Sequence, residues 1–369
     1  MRVLCIVGTR PEAIKLAPVI RELWKRGGLT ARVCATAQHR AMLDEVLGLF
    51  GIVPDHDLDV MADDQTPSQV AAAILERLEP VLRAEQPDWV VVQGDTTTVA
   101  AATLAAYYAG RRVAHVEAGL RTYDKWRPFP EEGNRRVAGV LADLHLAPTE
   151  LARGHLLREG VPAERVQVTG NPVIDALQWV AALPGAALPE RIGAADREGR
   201  RLILVTAHRR ENFGAPFESI CAALRELATR YAGSVDLVYP VHPNPAVREP
   251  ATRLLGGVPN ICLMPPLDYL HLVHLLKRAH LVLTDSGGLQ EEAPGLGKPV
   301  LVLRDVTERP EGLEAGTAVL VGTDRVRIVT ETARLLEDDA AYERMARAVN
   351  PYGDGHAAER IVDALLADG

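Results

Sequence analysis

Three acidic residues fall where this sequence can use them as acids and bases. Asp95, in Gln93-Gly94-Asp95-Thr96, follows the apolar run Val90–Val92, and Glu117, in His115-Val116-Glu117-Ala118-Gly119, follows the next run. Glu131 opens a helical stretch in Pro130-Glu131-Glu132-Gly133-Asn134-Arg135. Carboxylates gathered at strand ends can have their pKa values pushed apart by their surroundings, which suits removal and return of a proton. Each alone also reads as a helix cap, Glu131 most of all, because a carboxylate in a first turn satisfies the helix dipole. The three together favour proton chemistry.

A second set suits an anion. In Thr284-Asp285-Ser286-Gly287-Gly288 the two glycines let backbone N–H groups approach a phosphate closely, and the Ser286 hydroxyl adds a donor. Glu292 lies one helical turn past Gly288, within reach of ribose hydroxyls. The same residues also read as an N-cap with two glycines for tight packing. In the first βα turn, Gly8-Thr9-Arg10-Pro11, the proline suits a first helical position. Arg10 then sits beside a helix N-terminus, a natural place for an anion. This turn is neither a Walker A loop nor G-x-G-x-x-G. Gly353-Asp354-Gly355-His356-Ala357-Ala358 fits the latter formally, but no strand precedes it, and a helix start is the better reading. His208, Arg209 and His242 at strand ends, with Arg309, offer the positive charge a diphosphate needs.

The elements that must hold these residues alternate along the chain. Val3–Val7, Trp89–Val92, Val113–Val116 and Leu144–Ala147 read as buried strands, as do Leu202–Thr206, Val235–Tyr239, Leu281–Thr284 and Val300–Leu303. Helical spacing lies between them, for instance Phe217, Ile220, Cys221, Leu224 and Leu227. This is an α/β chain with parallel sheets covered on both faces. The stretch 183–200, rich in Pro and Gly, breaks the rhythm and is the best linker. We expect two doubly wound, Rossmann-like domains over 1–182 and 201–355, with a cleft between them, and a last helix over 356–369 that packs back on the first.

Composition sets outer limits. The 369 residues are 47% hydrophobic and 24% charged, the balance of a soluble globular protein. No apolar run approaches the roughly 18 residues of a membrane span, and the first strand is too short for a signal-peptide core. With 41 basic and 49 acidic residues the net charge is −8, which argues against nucleic acid as partner. Four cysteines without a C-x-x-C pair suggest a reducing, cytoplasmic compartment.

Together these segments resemble the non-hydrolysing UDP-N-acetylglucosamine 2-epimerases. The matching stretches include GTRPEAIK (Gly8–Lys15), TAQHR (Thr36–Arg40), GDTTT (Gly94–Thr98), HVEAGLRT (His115–Thr122) and PEEGNRR (Pro130–Arg136). They continue with TGNPVIDAL (Thr169–Leu177), HRRENFG (His208–Gly214), YPVHPNP (Tyr239–Pro245), TDSGGLQEEAPGLGKPVL (Thr284–Leu301), TERPEG (Thr307–Gly312) and NPYGDG (Asn350–Gly355). They run in order through nearly the whole chain.

The resemblance implies a two-domain GT-B glycosyltransferase-like fold, a homodimer, and a reaction without cofactor or metal. Such enzymes interconvert UDP-GlcNAc and UDP-ManNAc by eliminating UDP to give 2-acetamidoglucal and adding it back. It implies Asp95, Glu117 and Glu131 as the acid–base group and His208 as stabiliser of the departing diphosphate. UDP-sugar contacts would come from Arg10, Lys15, Lys25, Arg135, His242, Ser286, Gly287, Gly288, Glu292 and Arg309. Some members bind a second UDP-GlcNAc as activator. Gln38, Arg209 and His242 fit that site, whereas Ala41 stands where a second Gln is expected. Leu267 and Leu272 likewise replace an expected Gln and aromatic near the uracil. The alternatives are a GT-B glycosyltransferase using a UDP-sugar donor, a catalytically silent UDP-sugar sensor, against which the intact carboxylates argue, a hydrolysing epimerase that releases ManNAc, and an epimerase for a diacetamido-uronic acid sugar.

Overall fold

The computed structural model describes residues 1–37, 40–62, 64–185 and 199–368. The chain forms two compact units, Met1–Ala176 with Tyr352–Gly369, and Leu177–Pro351. The first holds β1 (Arg2–Val7), β2 (Thr30–Ala35), β3 (His56–Asp57), β4 (Trp89–Gln93), β5 (Arg112–Val116), β6 (Leu144–Ala147) and β7 (Val166–Val168). They pair in parallel in the order β3-β2-β1-β4-β5-β6-β7. The second holds β8 (Arg201–Thr206), β9 (Val235–Pro240), β10 (Ile261–Met264), β11 (Leu281–Thr284), β12 (Val300–Val302) and β13 (Ala318–Leu320). These are also parallel, in the order β10-β9-β8-β11-β12-β13.

Every strand expected from an unbroken apolar run is present, because parallel strands under helices are buried on both faces. Along β1, β4 and β5 the first sheet is largely apolar: Leu4, Ile6, Val90, Val92 and Val113 pack on Ile74, Leu78, Leu82 and Val99 of the covering helices. In the second unit Ile203, Val205, Leu237 and Leu283 meet Phe217, Ile220, Cys221, Leu224 and Leu227 of the helix Ala215–Arg230. The strands that the runs did not announce are short or half-exposed. β2 is exposed along its first half, and β10 is buried only at Ile261.

Each sheet reverses its strand order once, between β1 and β4 and between β8 and β11. Crossovers leave such a point toward opposite faces, so a crevice opens above the carboxyl ends of the two strands, where α/β sheets bind ligands. In the first unit the turns Gly8–Arg10 and Gly94–Thr96 border it; in the second, 207–209 and 285–287 do.

The chain passes to the second unit within the helix Val173–Ala182 and returns at Tyr352. Its last helix, Ala357–Ala367, packs on the helix Arg10–Lys25 and belongs to the first unit. Asp175 caps that helix, accepting from Ala357 N at 3.2 Å and Ala358 N at 2.8 Å. The Gly353–Ala358 segment is therefore a helix start and no dinucleotide turn. The linker expected over 183–200 lies mostly outside the described residues. Among the described residues no helix is long and apolar enough to cross a membrane.

Candidate active site

In the first unit, Glu117 follows β5 with φ of +62°. A residue other than glycine held in that region costs about 1–3 kcal/mol and persists only where its surroundings fix it. Here they do. Lys15 Nζ, from the helix Arg10–Lys25, donates to both carboxylate oxygens at 2.7 Å. Asn171 Nδ2 donates to Oε1 at 2.9 Å, and Gln93 Nε2 to Oε2.

Asp95 projects from the turn after β4. Gly94 takes φ of +82° there, and its carbonyl accepts from His115 Nε2–H at 2.7 Å. Burial pushes the His115 pKa down to about 4, so the ring stays neutral and serves the turn as a donor. Arg135 Nη2 stands 3.0 Å from Asp95 Oδ2. Even so, the Asp95 pKa lies above the ordinary aspartate value: desolvation raises it, Glu117 and Glu131 add repulsion, and Arg135 and Lys15 only partly offset them. Glu131 heads the helix Glu131–Leu141, and its Oε2 is buried with no hydrogen-bond partner among the described residues. Neighbouring Glu132 is spent on structure, accepting from Thr122 N at 3.0 Å and Tyr123 N at 3.1 Å. The group thus combines a carboxylate charge-balanced by lysine, one raised in pKa, and one with an open oxygen. That is equipment for moving protons.

The first turn does not offer an open anion site. Gly8 N and Thr9 N already donate to Glu12 Oε2, at 2.5 and 3.1 Å, and the Thr96 hydroxyl donates to Oε1. The anion at this helix N-terminus is the protein's own Glu12. Its pKa is pushed up to about 7 by burial, which outweighs those three donors.

In the second unit the N-terminus of the helix Gly287–Gly295 is open. Ser286 occupies the N-cap position, yet its side chain makes no cap hydrogen bond. A Cβ on Gly287 would lie 2.6 Å from Arg309 Nη1 and 2.8 Å from Cζ, so only glycine lets this guanidinium lie against the helix end. Glu291 Oε1 holds it there, 2.5 Å from Nε. Glu292 is buried, with Oε1 accepting from Tyr269 OH at 2.9 Å. Across the switch point, Asp285 is fully buried and its Oδ2 accepts from His208 N and Arg209 N, both at 2.8 Å, and from Asn212 Nδ2 at 3.1 Å. This fixes the His208 turn. The His208 ring stacks on His242, centroids 5.4 Å apart and planes within 9°. N–H groups at a helix end, a guanidinium and two imidazoles have the chemistry that suits a phosphate.

Residues 21–366 match the family described as UDP-N-acetylglucosamine 2-epimerase. A protein of that name from Yersinia pestis is 54% identical over 370 residues, covering 99% of this chain and 98% of its own. The chain belongs to this family. The crystal structure of a UDP-GlcNAc 2-epimerase from Neisseria meningitidis bound to UDP-GlcNAc is 47% identical, with a TM-score of 0.89 and full coverage of both chains. Another, titled a putative UDP-N-acetylglucosamine 2-epimerase from Listeria monocytogenes, is 47% identical with a TM-score of 0.93, covering 100% of this chain and 96% of that one.

For a UDP-GlcNAc 2-epimerase family member, the expected residues sort cleanly. Asp95, Glu117 and Glu131 come together in the first unit; Ser286, Gly287, Gly288, Glu292, Arg309, His208 and His242 gather in the second. Lys15 and Arg135, expected on the substrate, are the counter-ions of Glu117 and Asp95. Lys25 does not join them. It ends the helix that Arg10 begins, about 22 Å away at 1.5 Å per residue, exposed and paired with Glu22. Arg10 is partly exposed at the other end. Arg209 is exposed, and Gln38 lies outside the described residues. Sequence reasoning passed over Glu12, Gln93, His115, Asn171, Asp285 and Glu291. Most stand inside the quoted motifs, but only the folded chain shows what each touches.

Proposed function

We propose that this chain epimerises UDP-N-acetylglucosamine reversibly to UDP-N-acetylmannosamine. Glu117, Asp95 and Glu131 would serve C2 from opposite faces. As one carboxylate removes the C2 proton, the C–H electron pair becomes the C1=C2 bond and the C1–O pair leaves with the β-phosphate. Return of a proton to the other face and re-addition of UDP complete the exchange. Departing charge on the diphosphate would fall to His208, Arg309, the Ser286 hydroxyl and the N–H groups of Gly287 and Gly288, with Arg10 and His242 as further anion contacts and Glu292 on the ribose.

The observation that carries the reading is the unlike treatment of the carboxylates: Lys15 sits on Glu117, while Asp95 is raised in pKa beside it. A transferase that hands over a sugar has no evident need for this set. Incubation with UDP-GlcNAc alone, followed by NMR, tests the proposal. UDP-ManNAc is expected; free ManNAc would mean hydrolysis, and an unchanged spectrum a transferase.

On the same reading the product supplies ManNAc units for surface polysaccharide, and the protein works in the cytoplasm as a homodimer. Four free cysteines accord with a reducing compartment. Tyr108 and Val140, 72% and 82% exposed on the packed helices Thr97–Tyr108 and Glu131–Leu141, give a second copy an apolar surface to cover. Arg209 and His242 would be contacts for an activating second substrate.

A further inference from the structure

We infer that Asn171 is a positioning residue for this reaction: its amide sets the rotation of the Glu117 carboxylate and ties it to the point where the chain leaves and re-enters the first unit. The inference rests on the assignment of Glu117 proposed above.

Asn171 lies between β7 and the helix Val173–Ala182, and it is 1% exposed. Its Oδ1 accepts from Val173 N at 3.2 Å, an Asx turn that leaves Nδ2 facing Glu117 Oε1 at 2.9 Å. Its backbone N donates to Tyr352 O at 2.6 Å, and its carbonyl accepts from Ile174 N at 3.1 Å. Tyr352 is the first residue to return, and Val173 and Ile174 begin the helix through which the chain leaves, so Asn171 is bonded to both segments. Asp175, four residues on, binds the returning segment again through Ala357 N and Ala358 N.

Lys15, Asp95 and His115 are charged or titratable groups around Glu117. None of them selects a carboxylate rotation. Lys15 lies 2.7 Å from both oxygens and accepts either orientation about equally. The choice falls to Gln93 and Asn171, which hold different oxygens from different elements. With φ at +62°, the Glu117 backbone itself is held by those surroundings. A reacting group displaced by about 1 Å can lose about 10²-fold in rate. Deleting the Asn171 donor removes one of the two amide holds on Glu117, with Lys15 still on the same oxygen, and alters no side chain of the second unit.

The test is Asn171→Ser in the full chain, whose hydroxyl can still close the turn to Val173 N. We expect kcat to fall about 10–100-fold with KM for UDP-GlcNAc within about threefold, the pattern of an interaction lost mainly in the transition state. In a Glu117→Gln background the same substitution should cost less than about twofold, because the group it acts through is gone. Unchanged kcat overturns the inference, as does an equal loss in both backgrounds, which would mark a structural role. Asn171→Thr, which also keeps a hydroxyl for the turn, is read by the same criteria if Asn171→Ser fails to fold. Wild-type turnover by Glu117→Gln alone would remove the proposed assignment and this inference with it. An inactive Glu117→Gln beside a fully active Asn171→Ser would remove this inference only.

Discussion

Placing a methyl group on Gly287 should weaken both ligand binding and the fold. The new Cβ would lie 2.6 Å from Arg309 Nη1 and 2.8 Å from Cζ, whereas carbon contacts settle at about 3.5–4.0 Å. The guanidinium must therefore retreat by about 1 Å. Its anchor, the 2.5 Å contact between Nε and Glu291 Oε1, resists that movement, so the side chain has to leave its seat rather than adjust within it. The backbone at 287 is not in the left-handed region, so alanine itself is unstrained there. The folded state gains helix propensity of up to about 1 kcal/mol, but moving Arg309 away from the buried Glu291 carboxylate costs about 3–5 kcal/mol, so net stability should fall by about 2–4 kcal/mol. Binding should fall as well. A hydrogen bond to a charged phosphate is worth about 1.5–3 kcal/mol, so Kd for UDP should rise about 10–150-fold. Calorimetric titration at fixed ionic strength reads this directly, with thermal unfolding as the control. Arg309→Met should give the same loss, and combining it with Gly287→Ala should add little, since both remove one contact. Affinity within twofold of the parent in a folded Gly287→Ala protein would refute the reasoning and put the phosphates elsewhere.

Asp95→Asn, Glu117→Gln and Glu131→Gln should each lower kcat by at least about 10²-fold with little change in Tm, the scale of positioned acid–base groups; near-normal turnover in all three would sink the carboxylate assignment. UDP-ManNAc formed in D₂O should carry deuterium at C2, and recovered UDP-GlcNAc should gain it as equilibrium nears; full retention of protium, read by NMR, would contradict proton exchange between two faces. Stability should also report Glu12. Its pKa is about 7 in the fold against an ordinary 4.5, so between those values the folded state holds a proton that the unfolded chain has released. Stability is then lost as pH rises from about 4.5 to 7, by about 3 kcal/mol at most, and Glu12→Gln removes that slope. Urea unfolding of both proteins at pH 5 and pH 8 checks it; parallel changes would show that Glu12 is not the titrating group.

Much was legible because it depends on short-range patterns. Runs of four or five mostly apolar residues announced the central strands, since a parallel strand buried on both faces has few polar positions to disguise it. The glycine turn at Ser286–Gly288, proposed above for phosphate, stood out because close backbone approach requires glycine, and the position of Asp95 and Glu117 at strand ends followed from where the runs stop. The outer strand β2 and the edge strands β10 and β13 were not legible: half-exposed, they carry mixed residues that any loop could carry. Nor could the sequence say which residues serve a carboxylate. Lys15 and Glu117 are 102 positions apart, and Asn171 and Glu117 54 apart; only the order in which β1, β4, β5 and β7 pair brings them together. The strand order likewise turned Lys15 and Arg135 toward carboxylates, and helix length carried Lys25 away from the site. Burial, a property of the whole fold, raised Asp95 and Glu12 and left the neighbouring Glu132 to hold a loop. Residue type and spacing determined what chemistry the chain carries, and the tertiary contacts determined which atoms can perform it.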